Sequence, residues 1–368
     1  MRPRSATRSP AFPRTESAMG TDAISLSVAE FRGFAVRVFE ALGMAPEHAD
    51  LMAAQITWAH VRGYPWLGAK KIIQYGTRIQ KGAAATHGDL ELVAEAGGLL
   101  AFDAGNSFSQ VTGVQAMQAA IEKARSTGVC VAVVRNTSNA SALGYFPNLA
   151  IEQRMIGAAI NNSPPLMAPW GSREKIIGNQ AFAWGSPAGR HDPIIFDTAL
   201  SEMTLVAMHG YEARGESLPE GVALDAQGAP TTDPTAALAG ILLPMGQHRG
   251  SGLAVIWEIL TGILAGGERF LTDVTMPDVF DKPQGTSMFH LAINPEIVMP
   301  YDQFLARVDD MIDRLHASPT VKGVEQVRVP GEMAARRARE AQTSGMTLAP
   351  EMYAQLAEFA KPLGVRWE

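Results

Sequence analysis

The residues best suited to chemistry in this 368-residue chain lie in one loop rich in amide and hydroxyl groups. The loop covers residues 161–171, includes Ser163 and Pro165, and is followed closely by Asn179. An apolar, strand-like run at 156–160 precedes it. Many α/β enzymes bind small molecules in loops at strand ends, where polar groups stand on a rigid base. The loop therefore predicts a small-molecule site, and an ordinary surface turn is the alternative.

Several familiar signatures of catalytic chemistry are absent from the sequence. No Gly-x-Gly-x-x-Gly follows a strand, so the usual dinucleotide fingerprint is missing. There is no P-loop, no Cys-x-x-Cys and no His-Glu-x-x-His, and the eight histidines are scattered without metal-ligand spacing. We therefore expect neither a P-loop enzyme nor a metal site.

The elements that must position the loop follow from hydrophobic periodicity. Ser27 and Glu30 form a capping-box pattern for a helix to about residue 43, and helices are expected at 45–61 and 69–80. From about residue 90, short apolar strands alternate with helices. The expected strands are 128–134, the run at 156–160, 194–197 and 289–293; the expected helices are 113–123, 145–153, one capped by Asp233, and 250–262. From about residue 301 the sequence is helical again.

These patterns predict a domain organisation. Residues 1–22 are expected to be a disordered tail, and Met19 is an alternative start to Met1. Residues 23–85 and 300–368 should form a helical lobe, and residues 86–299 an α/β domain, because the chain is too long for a single core.

Net charge, the length of the apolar runs and the cysteine content limit the classes of function that the chain can have. The net charge of −6 argues against nucleic acid as the main partner. No apolar run reaches the roughly 20 residues of a membrane span, and the run 253–264, broken by Glu258, is interpreted as a core helix. The single cysteine, Cys130, is expected to be buried in a strand, which fits a reducing, cytoplasmic location.

Short motifs in a fixed order resemble the malate/L-lactate dehydrogenase-like family. In chain order they are Arg62-Gly63, Gly68 and Tyr75; Asn136-Thr137-Ser138 and Gly144-Tyr145; Met167-Ala168-Pro169-Trp170-Gly171; Phe196-Asp197 and Ser201; Leu218-Pro219-Glu220-Gly221, Asp225 and Gly228; Pro230 to Pro234; the Gly246 to Gly252 turn; and Pro330-Gly331-Glu332. Each motif alone is weak, but their order and spacing extend over nearly the whole chain.

The resemblance implies a non-Rossmann, two-lobed α/β fold. It further implies hydride transfer between NAD or NADP and a 2-oxo or 2-hydroxy acid, by a homodimer. The residues it places at the cofactor are Asn136, Ser138, Asn139, Asn161, Ser163, Pro165, Asn179, Asp197, His248, Arg249 and Gly250. Loop amides and hydroxyls, with the Gly246 to Gly252 turn opening a helix, suit phosphate oxygens. A solvated turn is the alternative for His248 and Arg249.

The chain departs from the family motif where a proton donor is needed. The family segment reads Arg-Gly-His-Asp-Ser-His-Gly, and its second histidine is the general acid; Leu67 stands there instead. The family's following arginine, a clamp for the substrate carboxylate, is Lys71. Asn139 and Ser141 replace a histidine and a glycine, and Ala207 replaces a common lysine. Loss of a general acid costs about 10²–10⁴ in rate.

Three side chains near the altered motif are alternative proton donors. Tyr64 occupies the position of the first family histidine, His60 precedes Leu67 by seven residues, and Tyr145 lies beside the inferred nicotinamide site. Each also has a simpler interpretation, packing for the tyrosines and a helix-surface position for the histidine. We therefore expect an oxidoreductase with an atypical site. The alternatives are a cyclic imine carboxylate reductase, for which a missing acid matters less, and a family member without catalysis that acts as a binding partner.

Overall fold

A computed structural model describes residues 23–367 of the protein; the predicted tail lies outside the described residues. The N-terminal part is helical, as expected: α1 Val28–Ala41, α2 Pro46–Val61 and α3 Lys70–Gln80, preceded by the short strand β1 Ile24–Leu26. The predicted capping box is present, since the Ser27 hydroxyl accepts the Glu30 N–H and the Glu30 carboxylate accepts the Ser27 N–H. Buried phenylalanines of α1 begin the core of this lobe.

The central region is built on a seven-stranded sheet. Its elements are β2 Glu91–Ala96, β3 Leu99–Asp103, α4 Ser109–Thr127, β4 Val129–Thr137, α5 Tyr145–Glu152, β5 Ile156–Asn161, β6 Ala181–Ser186, β7 Ile194–Thr198, α6 Leu205–Arg214, β8 Ala223–Leu224, α7 Pro234–Ala239, β9 Ile241–Leu242, α8 His248–Glu258 and β10 Thr286–Ile293. Strands β8 and β9 form a separate antiparallel pair.

The strand order of the large sheet is β2-β3-β4-β10-β5-β6-β7, and β10 lies at its centre. Among these strands β3 and β4 pair in parallel, whereas the other neighbours are antiparallel. This differs from a Rossmann sheet, whose strands are mostly parallel, and confirms the expected non-Rossmann α/β fold. Cys130 is fully buried in β4, as predicted. One face of the sheet is covered by α4 and α5, and the other packs against the region of α6, α7 and α8.

The C-terminal elements divide between the two parts of the molecule. They are α9 Tyr301–His316, α10 Glu332–Ser344, β11 Met346–Leu348 and α11 Pro350–Ala360. Strand β11 pairs with β1, and α10 and α11 contribute to the core of the helical lobe. By contrast, the Asp309 carboxylate of α9 accepts the backbone N–H groups of Gly189 and Arg190, just after β6. These contacts attach α9 to the α/β part. We therefore propose that the α/β domain extends to the start of α10, rather than ending at residue 299 as the sequence predicts.

The predicted helix 250–262 corresponds to α8 followed by a π-helical turn at Ile259–Ile263. Its interpretation as a core helix was wrong in one respect. The buried side carries Glu258, Thr261 and small residues, whereas six large apolar side chains are exposed: Leu253, Val255, Ile256, Ile259, Ile263 and Leu264, each between 42% and 54%. The helix therefore packs on the core through Ala254, Trp257 and Leu260 and exposes a second, apolar side.

Candidate active site

The altered segment forms a short connection between two helices. Helix α2 ends at Val61, Pro65–Leu67 makes a 3-10 turn, and α3 follows. His60 therefore does not share a continuous helix with Leu67. Both of its ring nitrogens have backbone partners: the Ala69 N–H donates to Nδ1 at 3.3 Å, and Nε2 donates to the Thr347 carbonyl at 3.3 Å. Burial lowers the pKa of His60. This geometry favours a positioning role at the start of α3 over proton donation.

Lys71 and Tyr75 extend from α3 toward the loop after β4. The Tyr75 hydroxyl donates to the backbone and side-chain oxygens of Asn139, both at 3.2 Å, and the Ser141 hydroxyl donates to the Leu67 carbonyl at 2.7 Å. Lys71 is 9% exposed, and burial lowers its pKa to about 8. The structure thus brings together four of the positions at which this chain departs from the family motif.

The loops predicted to hold a cofactor converge at the start of β10. The Asn161 amide donates to the Ser287 carbonyl at 2.9 Å, and the Asn139 N–H donates to the Gln284 side chain at 2.9 Å. Around this point several buried polar atoms have no partner among the described residues: Ser138 Oγ, Gln284 Nε2, Thr286 Oγ1 and Ser287 Oγ. Unpaired buried polar atoms are costly and need an explanation. A bound polar ligand or an ordered water would give them partners.

Unlike the unpaired polar atoms at the start of β10, the Asn136 side chain has hydrogen-bond partners within the protein. Its side chain donates to both oxygens of Asp103, at 3.2 and 3.0 Å, and its own oxygen accepts the Glu268 N–H at 3.4 Å. Its φ is +55°, a left-handed conformation that asparagine tolerates better than most residues. These contacts give Asn136 a role in the local structure that does not require a ligand.

Three more residues predicted to bind the cofactor, Ser163, Pro165 and Asn179, follow strand β5. The Ser163 hydroxyl donates to the Asn179 side chain at 2.8 Å, and the Asn179 carbonyl accepts the Leu200 N–H at 2.7 Å. Pro165 lies partly buried in the same loop. The loop reaches α8, since the Trp170 N–H donates to the Ser251 hydroxyl at 2.9 Å. The loop at 161–171 and the Gly246 to Gly252 turn are therefore neighbours in space.

At that turn, His248 and Arg249 are exposed at the first positions of α8. Gln247, just before them, has a φ of +62°, and such strained residues often lie at functional sites. Close packing explains the glycine at position 250, because a Cβ there would lie 2.1 Å from the Met245 carbonyl oxygen. Both His248 and Arg249 face solvent, which is compatible either with binding of an anion or with simple solvation.

A cleft beside β7 collects residues that are distant in sequence. Its lining is Trp58, Arg62, Tyr64, Pro193, Ile195, Asp197, Gly331, Ala334 and Ala335. The Asp197 carboxylate accepts the Gly144 N–H at 2.7 Å, at the start of α5. Burial raises the pKa of Asp197 to about 7, although backbone N–H groups at Gly144 and Leu143 act in the opposite direction. Desolvation of the charge outweighs these hydrogen bonds.

One arginine lines the cleft and a second lies close to it. The Arg62 guanidinium lies 3.9 Å from the centre of the Trp58 ring, and burial lowers its pKa to about 10. Arg337 of α10 packs over Gly63, where a Cβ would lie 2.7 Å from its Nη1. Burial, with Asp197 adding to it, raises the pKa of Tyr64, which makes that phenol a weaker acid at neutral pH. Tyr145 packs edge-on against Trp58, with ring centres 5.8 Å apart, and burial raises its pKa too.

Comparison with known proteins decides the family. The model of the malate/L-lactate dehydrogenase family matches residues 26–357. The chain belongs to the malate/L-lactate dehydrogenase family. It is therefore an oxidoreductase of the dehydrogenase class, as the motifs predicted.

Individual relatives cover nearly the whole chain. The malate dehydrogenase of Pyrococcus abyssi is 31% identical over 345 residues, 92% of this chain and 94% of that protein. The sulfolactate dehydrogenase structure from Methanocaldococcus jannaschii has a TM-score of 0.88 at 31% identity, covering 93% and 98% of the two chains. The delta1-piperideine-2-carboxylate reductase of Pseudomonas syringae has a TM-score of 0.83 at 27% identity, covering 92% and 100%. The expected activity, on 2-hydroxy or 2-oxo acids, agrees with these relatives.

Several residues of the site were not predicted from the sequence. Gln110, Gln284 and Arg337 are isolated polar residues in unremarkable surroundings, and only the fold brings them to the site. Glu258 interrupts the apolar run 253–264 in the sequence, which gives no sign of its role. In the structure it is buried and accepts hydrogen bonds from Gln180, from Asn162 at 3.4 Å and from the Leu271 N–H at 2.9 Å. Between residues 23 and 367 no group of three or more His, Cys, Asp or Glu side chains is arranged to hold a metal ion. No helix in the same range is long and apolar enough to cross a bilayer.

Proposed function

We propose that the protein transfers a hydride between NAD or NADP and a 2-oxo or 2-hydroxy acid. The observation that supports this best is the convergence of the loops after β4 and β5 at the start of β10, with unpaired buried polar atoms around it. Lys71 and Tyr75 lie next to the same loop. A polar ligand and an acidic substrate would therefore lie side by side.

The residues present fit a nicotinamide dinucleotide. Ser138, Thr286 and Ser287 supply hydroxyls and Gln284 supplies an amide for its polar groups. Arg249 and the backbone N–H groups at the exposed start of α8 would supply donors and positive charge for phosphate oxygens. When bound, the reduced nicotinamide supplies the hydride; the protein binds, orients and excludes water.

Calorimetric titration with NADH and NADPH tests cofactor binding. We expect micromolar affinity for at least one of them and about tenfold weaker binding in Thr286→Val, which removes a hydroxyl whose new partner would be the ligand. Thr57→Val is the matched control, because the Thr57 hydroxyl is also buried without a partner but lies in α2, outside the converging loops. No binding of either dinucleotide at millimolar concentration would leave only the non-catalytic binding partner.

A cyclic imine carboxylate is the second candidate substrate. The observation in its favour is Leu67 at the position of the family's general acid, because a protonated imine is already activated for hydride addition. Absorbance of the reduced nicotinamide should be followed with oxaloacetate, pyruvate, sulfopyruvate and delta1-piperideine-2-carboxylate. Turnover of the imine alone would select the second candidate, and turnover of an oxo acid the first.

We also propose that the protein is a homodimer that buries the exposed apolar face of α8. Together with the π-helical turn that follows it, α8 exposes six large apolar side chains between Leu253 and Leu264, and closed two-fold assembly is the commonest arrangement of oligomers. Sedimentation should show a dimer, and Ile256→Glu should convert it to a single chain. Ile297→Glu is the control, since Ile297 is 64% exposed on another part of the surface. Dissociation by Ile297→Glu but not by Ile256→Glu would place the interface elsewhere.

A further inference from the structure

Lys71 is a buried cation without an anionic partner. Its Nζ donates to the Gln74 side-chain oxygen at 2.6 Å, a neutral acceptor. Within the described range, no carboxylate forms an ion pair with it. A buried charge is normally paired or neutralised, because desolvation penalises it strongly. The side chain is therefore held ready either for an anionic ligand or for loss of its proton.

The surroundings place this ammonium at the altered motif. Lys71 and Tyr75 are four residues apart on α3 and so share one face of that helix, and Leu67 ends the 3-10 turn just before it. The loop from Asn139 to Ser141 covers that side through the hydrogen bonds to Leu67 and Tyr75. The Lys71 Nζ lies 5.6 Å from the centre of the Tyr75 ring. A substrate bound beside this loop would meet the lysine.

The charged and titratable neighbours make Lys71 the group best suited to release a proton. Burial lowers its pKa to about 8, and the positive charge of Lys70 acts in the same direction. Tyr75 is the nearest other candidate, but burial raises its pKa, so it holds its proton. Arg78, one turn further on, is bound to backbone carbonyls of residues 279 and 282 and stays charged. A donor with a pKa near the working pH transfers protons most effectively.

We propose that Lys71 donates the proton to the carbonyl oxygen of a 2-oxo acid, in place of the histidine position that Leu67 occupies. This role rests on the proposed function. As a hydride adds to the carbonyl carbon, the π pair of the C=O bond moves to oxygen. The oxygen takes one proton from Nζ and becomes the hydroxyl of the 2-hydroxy acid. The neutral amine then regains a proton from solvent, and Gln74 holds it in place throughout.

Two substitutions separate proton donation from simple charge. Lys71→Arg keeps the positive charge but cannot donate, because the guanidinium does not release its proton. We expect kcat to fall by about 10²–10⁴ in Lys71→Arg and in Lys71→Met, with KM raised mainly in Lys71→Met. Lys81→Met is the matched control: Lys81 is exposed just after the end of α3, and kcat should stay within about twofold.

A second measurement does not depend on turnover. An amine-selective reagent, applied over a pH series and quantified by mass spectrometry, should modify Lys71 with a half-point near pH 8. Full activity in Lys71→Arg, or a Lys71 half-point at the ordinary lysine value of about 10.4, would overturn the proposed role. Failure of the wild type to reduce any tested acid or imine would overturn both this role and the proposed function. Activity that survives Lys71→Arg would overturn the role alone.

Discussion

Replacing Asp197 by asparagine removes a charge while keeping the shape of the side chain and its ability to accept from the Gly144 N–H. The folded protein raises the pKa of this carboxyl from 3.8 to about 7. Because the folded state holds the proton more tightly than the unfolded state, unfolding releases it between about pH 4 and pH 7. The free energy of unfolding therefore falls as the pH rises through that window and levels off above it.

The magnitude follows from the same shift. Between pH 5 and pH 8 the carboxyl would cost the wild type about 2.6 kcal/mol relative to Asp197→Asn, if the whole shift were expressed. The side chain is only partly buried and solvent screens it, so we expect roughly half of this, about 1 kcal/mol. Asp197→Asn should then match the wild type most closely at pH 5 and be the more stable protein at pH 8.

Urea unfolding of both proteins at the two pH values measures this directly. The comparison between wild type and Asp197→Asn cancels the titration of other groups. Asp197→Ala is a useful companion, because it also removes the acceptor at the start of α5 and should cost about 1 kcal/mol more than asparagine at either pH. An identical pH dependence in wild type and Asp197→Asn would refute the argument that burial controls this carboxyl.

Three further outcomes follow from single contacts. Tyr64→Phe should leave kcat within about twofold, because burial raises the pKa of that phenol; a drop of tenfold or more would make Tyr64 the acid. Leu67→His alone should not recover ordinary malate or lactate turnover, since the histidine would lack an orienting partner; full turnover with oxaloacetate or pyruvate would contradict this. Gly250→Ala should destabilise the fold by about 2 kcal/mol in thermal unfolding, because its Cβ would meet the Met245 carbonyl; an unchanged Tm would show that the turn can relax.

Local chemistry allowed much of the fold to be predicted from the sequence. The capping box at Ser27 and the periodic phenylalanines that follow gave the first helix to within two residues. The apolar run around Cys130 gave a strand, because its residues suit a pleated, buried position. The central strands β4, β5 and β10 were all expected, although their antiparallel pairing was not.

What could not be predicted depends on contacts between distant segments. Asp197 and Gly331 line one cleft although more than 130 residues separate them in the sequence. No local sequence pattern predicts a contact between segments so far apart. Lys71 could be recognised as a substitution, but its lack of an anionic partner is a property of the folded surroundings. The run at 253–264 shows a different limit. Its apolar composition predicts burial, but composition does not show whether the covering surface belongs to the same chain or to another.

Helix α8 has one end at the predicted phosphate turn and an apolar face that we assign to a second subunit. A rigid helix that serves both purposes links two equilibria. If a dinucleotide prefers the dimer, dimerisation must strengthen dinucleotide binding by the same factor, because the thermodynamic cycle has to close. The apparent affinity would then depend on protein concentration, and dilution into a nanomolar assay would lower it. Progress curves begun from concentrated stock should show a slow loss of rate as subunits separate, and added dinucleotide should delay it.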